Sequence, residues 1–185
     1  VSDKFVTFGY KEDVKWTKAN SELTDDLLDR VVYVHCKDEF TLMTKFIQYW
    51  ETFAPHIVTG WNNAQFDMPY IFNRMQNLGF DVRKLSPWRR TTIRDVQTTR
   101  GTHQEINILG VSIIDYMDRY KRNKIQESYR LDHVAYVELG EKKLDYSEVT
   151  GLHHLYFENF QKFIDYNIQD VNLVKRLDEK LGLID

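Results

Sequence analysis

The sequence predicts an α/β domain: a mixed β-sheet flanked by helices, with a β-hairpin inserted midway. Three features of the 185 residues point there. Short runs of β-branched and aromatic residues alternate with stretches of helical spacing in the first half of the chain. Two strand-like runs then meet across Arg100-Gly101-Thr102, a hairpin signal. One long amphipathic stretch closes the chain. Alternation of strands and helices is the pattern of α/β architecture.

Each element follows from its residues. Lys4-Phe-Val-Thr-Phe-Gly9 and Val31-Val-Tyr-Val-His35 read as strands, and the polar residues 11–30 between them leave room for a short helix. Phe40, Met43, Phe46, Ile47, Trp50 and Phe53 recur at spacings of three and four, which predicts a helix over 38–53. His56-Ile-Val-Thr-Gly60 is a strand ended by glycine. Asp67-Met-Pro-Tyr70 reads as a helix start with a capping acid and a first-turn proline, running to about Leu78. Residues 81–90 form a loop, 91–98 and 104–114 are strands, and 115–121 and 131–137 are short helices. The last helix is expected over 155–181.

Composition excludes several classes. A chain of this length makes about one domain with a real core. A single cysteine, Cys36, rules out an internal disulfide framework and a cysteine-based zinc site. No apolar run approaches the roughly 20 residues that span a bilayer, and the N-terminus lacks a signal-peptide layout, so an intracellular protein is expected. The net charge is −3, but it is unevenly spread. Residues 81–130 hold eleven Lys and Arg against six acids, while the rest of the chain is acidic. A basic strip on an acidic body suits either a held polyanion or an ordinary solvated face.

Two segments carry candidate chemistry. Gly60-Trp61-Asn62-Asn63-Ala64-Gln65-Phe66-Asp67 lies between a strand end and a helix start, where α/β proteins place functional groups. Asp67 there reads as a helix N-cap, a metal ligand, or both. Trp61 and Phe66 bracket Asn62 in a way that suits base stacking, or equally a core. On the C-terminal helix, at about 100° per residue, Asp170 falls inside an apolar arc of Phe163, Ile164, Ile168, Val171, Val174, Leu177 and Leu181, with Tyr166 at its edge. An acid on a buried stripe is costly unless it is paired, caps another element or ligates a cation. Two such carboxylates form half of a site for Mg²⁺ or Mn²⁺. The histidines offer little: His153 and His154 are adjacent and diverge on a helix, and the other four are scattered. There is no glycine-rich phosphate loop and no nucleophile elbow.

At these segments the chain resembles the family B DNA polymerases. Trp61-Asn62-(three residues)-Phe66-Asp67-Met-Pro-Tyr70 is similar to their second exonuclease motif, and Tyr166-(three residues)-Asp170 to the third. Similarity to the T-even-like phage branch continues through Leu85-Ser-Pro-Trp-Arg89, Ile108-Leu-Gly-Val-Ser-Ile-Ile-Asp115-Tyr, Leu131-Asp-His and Gly140-Glu-Lys-Lys-Leu-Asp-Tyr. The resemblance covers nearly the whole chain and implies a single 3′→5′ proofreading exonuclease domain of ribonuclease H-like fold. It implies two-metal hydrolysis with Mg²⁺ or Mn²⁺, Asp67 and Asp170 as ligands, and Tyr166 orienting the attacking water. Asn62, Phe66 and Trp61 would shape the pocket for terminal nucleotides. Residues 98–106 would be a hairpin that helps separate primer from template, with Arg94 and Arg100 meeting phosphate.

The family's first motif, Asp-x-Glu, occurs nowhere in the 185 residues. The resemblance therefore implies an N-terminally truncated domain with weak activity by itself, and an exposed sheet edge open to homodimerisation. Its expected partners are single-stranded DNA or a primer 3′ end and the remainder of a DNA polymerase, with no membrane, in the cytoplasm of a phage-infected bacterium. The rival reading is a non-catalytic module that binds single-stranded DNA or docks on a polymerase.

Overall fold

The computed structural model describes residues 3–98, 101–141 and 152–184. They form two compact units, one from Val1–Lys45 and Arg130–Lys180, the other from Phe46–Tyr129 and the last five residues. Both parallel and antiparallel pairings occur, as a mixed α/β fold requires, in three two-stranded ladders among the described residues.

In the first unit β1 (Phe5–Gly9) pairs in parallel with β2 (Val31–His35), with Phe5 opposite Val31. Parallel neighbours need a crossover. Here it holds a 3-10 turn (Lys18–Asn20) and the short helix α1 (Asp25–Arg30) expected in the polar stretch. The core joins Phe5, Trp16, Leu23, Leu27 and Val31 to Phe160, Ile164 and Ile168. Helix α5 (Leu131–Leu139) ends on Gly140 at φ 73°, the left-handed C-cap that glycine adopts without a Cβ clash.

The expected single C-terminal helix is two. Helix α6 (Leu152–Glu158) and α7 (Phe160–Leu181) meet at Asn159. Its backbone N–H donates to Leu155 O, closing α6, and its side-chain Oδ1 accepts from Lys162 N at 3.0 Å, opening α7. Asparagine competes with a continuing helix in this way.

In the second unit β3 (Ile57–Gly60) pairs in parallel with β6 (Ser112–Asp115), placing Gly60 beside Asp115. The hairpin is β4 (Thr91–Thr98) against β5 (Gly101–Ile108). The ladder register ends with Thr98 opposite Gly101, and Arg100 lies outside the described residues. The run expected as one strand over 104–114 breaks at Leu109-Gly110. Gly110 turns at φ 90°, and a Cβ there would stand 2.7 Å from Pro87 Cγ. That turn lets one stretch of chain leave an antiparallel hairpin and enter a parallel ladder. Helix α2 (Glu39–Phe53), whose residues divide between the two units after Lys45, starts one residue later than expected, and Phe40 and Phe53 of its apolar stripe are exposed. The second unit also contains α3 (Asp67–Asn77), a 3-10 turn (Val82–Leu85) within the expected loop, and α4 (Tyr116–Asn123).

Candidate nuclease site

The segment between β3 and α3 is held by its own backbone hydrogen bonds and by the Asp115 carboxylate. After Gly60 the chain leaves the ladder and Asn62 adopts a left-handed conformation at φ 63°, which asparagine tolerates better than most residues. Phe66 N donates to Asn62 O at 3.0 Å and Met68 N to Asn63 O at 2.9 Å, which leads the chain into α3. Asp115, next to Gly60 across the ladder and 8% exposed, closes the arrangement. Its Oδ1 accepts from Asn62 N at 3.2 Å and Asp118 N at 3.3 Å, and its Oδ2 from Ala64 N at 3.1 Å. Asp115 is thus the N-cap of α4 and the anchor of the 62–64 backbone. The sequence reading gave it no role, although an acid ending a strand three residues before Asp118 is a legible cap signal.

Asp67 is not the cap expected of it. Phe66 occupies the N-cap position and makes no side-chain cap bond, so Asp67 is the first helical residue. Its carboxyl sits above the usual range, chiefly because surrounding protein strips hydration from the charged form. The Asp115 carboxylate adds repulsion, and Asp67's own backbone N–H opposes both. One face of the residue stays open to solvent. Phe66 beside it is 64% exposed, and Tyr70, one turn on, 58%. Trp61 differs. Its Nε1 donates to Tyr129 O at 3.1 Å and its ring packs about 6 Å from Tyr116 and Tyr120 (centroids 6.2 and 6.1 Å). Of the bracketing aromatics, Phe66 is the one turned outward. Arg94 is exposed but already engaged, its guanidinium lying 2.7 Å from Glu105 Oε2.

Tyr166 and Asp170 lie one turn apart on α7, in the other unit. Tyr166 is buried and Asp170 half-buried. The apolar arc is not the one drawn from the sequence. Leu177 is fully buried as expected, but Val171 is 60% exposed, whereas Leu173, outside the expected arc, is fully buried. The fully buried acid of α7 is Asp165, which the periodicity did not single out. It accepts from Trp16 Nε1 at 2.6 Å, Ser21 Oγ at 2.7 Å and Glu22 N at 2.9 Å, tying the 16–22 stretch to the helix.

Among the described residues no three His, Cys, Asp or Glu side chains gather closely enough to hold a metal ion. The donor chemistry nonetheless fits a hard divalent cation. Asp67 offers carboxylate oxygens to solvent, and its charge is disfavoured by desolvation and by Asp115, a strain that a cation relieves. The structure therefore brings Asn62, Phe66 and Asp67 together on one segment, and Tyr166 and Asp170 on one helix.

Residues 8–134, which include Asp67 and end before Tyr166, match the model of the DNA polymerase family B exonuclease domain. The chain is 35% identical over 172 residues to a DNA-directed DNA polymerase of Enterobacteria phage T4, covering 91% of the chain. It is 33% identical over 171 residues to that of Escherichia phage RB69, covering 90%. It is 30% identical over 190 residues to the DNA polymerase catalytic subunit of Psittacid herpesvirus 1, covering 98%. The chain spans 19%, 19% and 17% of the lengths of these relatives, respectively.

Proposed function

The chain belongs to the exonuclease domain family of the family B DNA polymerases, and from that premise we propose that it removes nucleotides from a DNA 3′ end in the service of a larger polymerase. In the reaction a water oxygen bonds to the 3′-terminal phosphorus as the P–O3′ bond breaks. The leaving oxygen takes up a proton, releasing a 5′-mononucleotide and a new 3′-hydroxyl. Mg²⁺ or Mn²⁺, when bound, supplies charge stabilisation to the attacking and leaving oxygens. Asp67 and Asp170 are the carboxylates assigned to hold the ions. Tyr166 hydrogen-bonds and orients the water, a role suited to a phenol, whose reference pKa is about 10. Asn62 and the outward-turned Phe66 face the terminal nucleotides, with Phe66 as a stacking surface. The packed ring of Trp61 supports that segment from beneath.

The observation that carries this reading is the built 62–67 segment, which offers Asp67 to solvent at a helix start within the family-matched residues. Its partners are single-stranded DNA or a primer 3′ end and the rest of a polymerase. The reading needs no second copy of the chain. A second reading, a non-catalytic single-strand-binding or docking module, draws on the lack of any Asp-x-Glu in these 185 residues.

One assay separates them: release of mononucleotides from a 3′-labelled oligonucleotide, with Mg²⁺ or Mn²⁺ and with a chelator. It is run on the chain alone and on the chain joined to a polymerase segment bearing Asp-x-Glu, with Asp170→Ala as control for contaminating nuclease. The chain alone is expected to release little, since two carboxylates hold a metal pair poorly, and the joined form to release nucleotides from the 3′ end. Binding without release in either form supports the non-catalytic module. Robust release by the chain alone, abolished by Asp170→Ala, would show that its own residues complete the metal site.

A further inference from the structure

We propose that Asp115 is a positioning residue for this nuclease, its carboxylate holding the 62–64 backbone and thereby fixing where Asp67 is presented. The proposal rests on the assignment of Asp67 as a metal ligand. It starts from the ladder register, which sets Gly60, the last residue of β3, beside Asp115, the last residue of β6. One chain turns into the 61–66 segment there and the other into α4, and a single carboxylate serves both exits. Two amides of the segment and one of α4 converge on it. Hydrogen bonds to an ionised acceptor are about twice as strong as neutral ones.

The restraint reaches Asp67 in short steps. Asn62 is held at φ 63°, a conformation that persists only where surroundings fix it. Its carbonyl accepts from Phe66 N, and the carbonyl of Asn63 accepts from Met68 N, so the amides on both sides of Asp67 are anchored to residues that Asp115 pins or adjoins. Asp115 is buried at 8% exposure, and both its oxygens accept from backbone N–H groups, as a positioning role requires. Its charge also bears on Asp67, adding negative potential beside the carboxylate meant to draw a cation. Groups that orient a metal ligand typically matter by about 10–100-fold in metal affinity.

The test compares wild type, Asp115→Ala and Asp115→Asn in the 185-residue chain by amide hydrogen exchange and by Mn²⁺-induced broadening of NMR signals. In Asp115→Ala the Asn62 and Ala64 amides should exchange about tenfold faster or more, while the amides of β1 and of Leu173 stay protected. The Mn²⁺ concentration needed to broaden the Asp67 signal should rise about tenfold or more. Asp115→Asn keeps one acceptor oxygen and should fall between the two. If Asp115→Ala does not fold, the Asn variant carries the comparison alone. Freed loop amides with unchanged Mn²⁺ broadening would make Asp115 a helix cap and nothing more, and unchanged amides would remove the anchor itself. Either result overturns the proposal and leaves the role of Asp67 standing. A wild-type chain with no broadening around Asp67 overturns that role, and the proposal with it.

Discussion

Asp67 carries its charge against the native state's preference. Its folded pKa is raised, first by burial and then by Asp115, so its protonated form is the one folding favours. The stability linked to it is present at low pH and lost as pH rises through the folded value. Asp67→Asn should therefore be more stable than wild type at neutral pH, by at most about 1 kcal/mol because water at its open face screens the repulsion. The difference should vanish as pH falls below the ordinary carboxylate range. Urea denaturation at pH 7 and near pH 3 checks this, and an Asn variant no more stable at pH 7 counts against it. The candidacy of Asp67 was legible in the sequence because Trp61, Asn62, Phe66 and Asp67 keep a family spacing. Its local setting was not. Whether an acid caps a helix or stands one residue inside it depends on a single residue of register, and the partner that shapes its charge, Asp115, lies 48 residues away in sequence.

At the scale of elements, the strands and helices were legible wherever the period was clean, as in β1, β2, α2 and α3. The misreadings fall where one residue redirects the chain. Asn159 ends one helix and caps the next within an otherwise continuous amphipathic pattern, and Gly110 divides a run of strand-forming residues between two ladders. Periodicity sees neither, because the flanking residues keep the same composition. Gly110→Ala should cost more than about 1 kcal/mol in thermal or chemical unfolding, since a Cβ meets Pro87 and φ 90° excludes it. A cost near zero would mean that the turn relaxes. On α7, Asp165→Ala strands the Trp16 indole N–H, the Ser21 hydroxyl and the Glu22 amide in a buried place. The expected loss is about 3–5 kcal/mol, with Trp16 emission shifted to the red. A loss under about 1 kcal/mol would contradict that account of the 16–22 stretch.

At the scale of the whole molecule the charge is uneven, with eleven Lys and Arg against six acids in residues 81–130. The basic residues of 81–130 include Arg119 and Arg122, exposed on α4, and Arg94, engaged with Glu105. Single-stranded DNA binding should be weak and salt-sensitive, since each neutralised phosphate releases counterion. Reversing Arg94 and Arg100 together should weaken binding and flatten its salt slope. Salt-insensitive binding, or a slope those changes leave untouched, would remove the strip as the DNA path. No helix among the described residues is long and apolar enough to cross a membrane. The central proposal is that Asp67 and Asp170 are both needed for removal of the 3′-terminal nucleotide. Release of the 3′-terminal nucleotide by the complete polymerase, with Asp67→Ala, Asp170→Ala and the double variant, tests it most directly. Each single change should lower the rate about a thousandfold or more, and the double change should lower it little further, because residues acting as a unit are not additive. A single variant that keeps the wild-type rate, or a double variant whose loss is the product of the two singles, would contradict it.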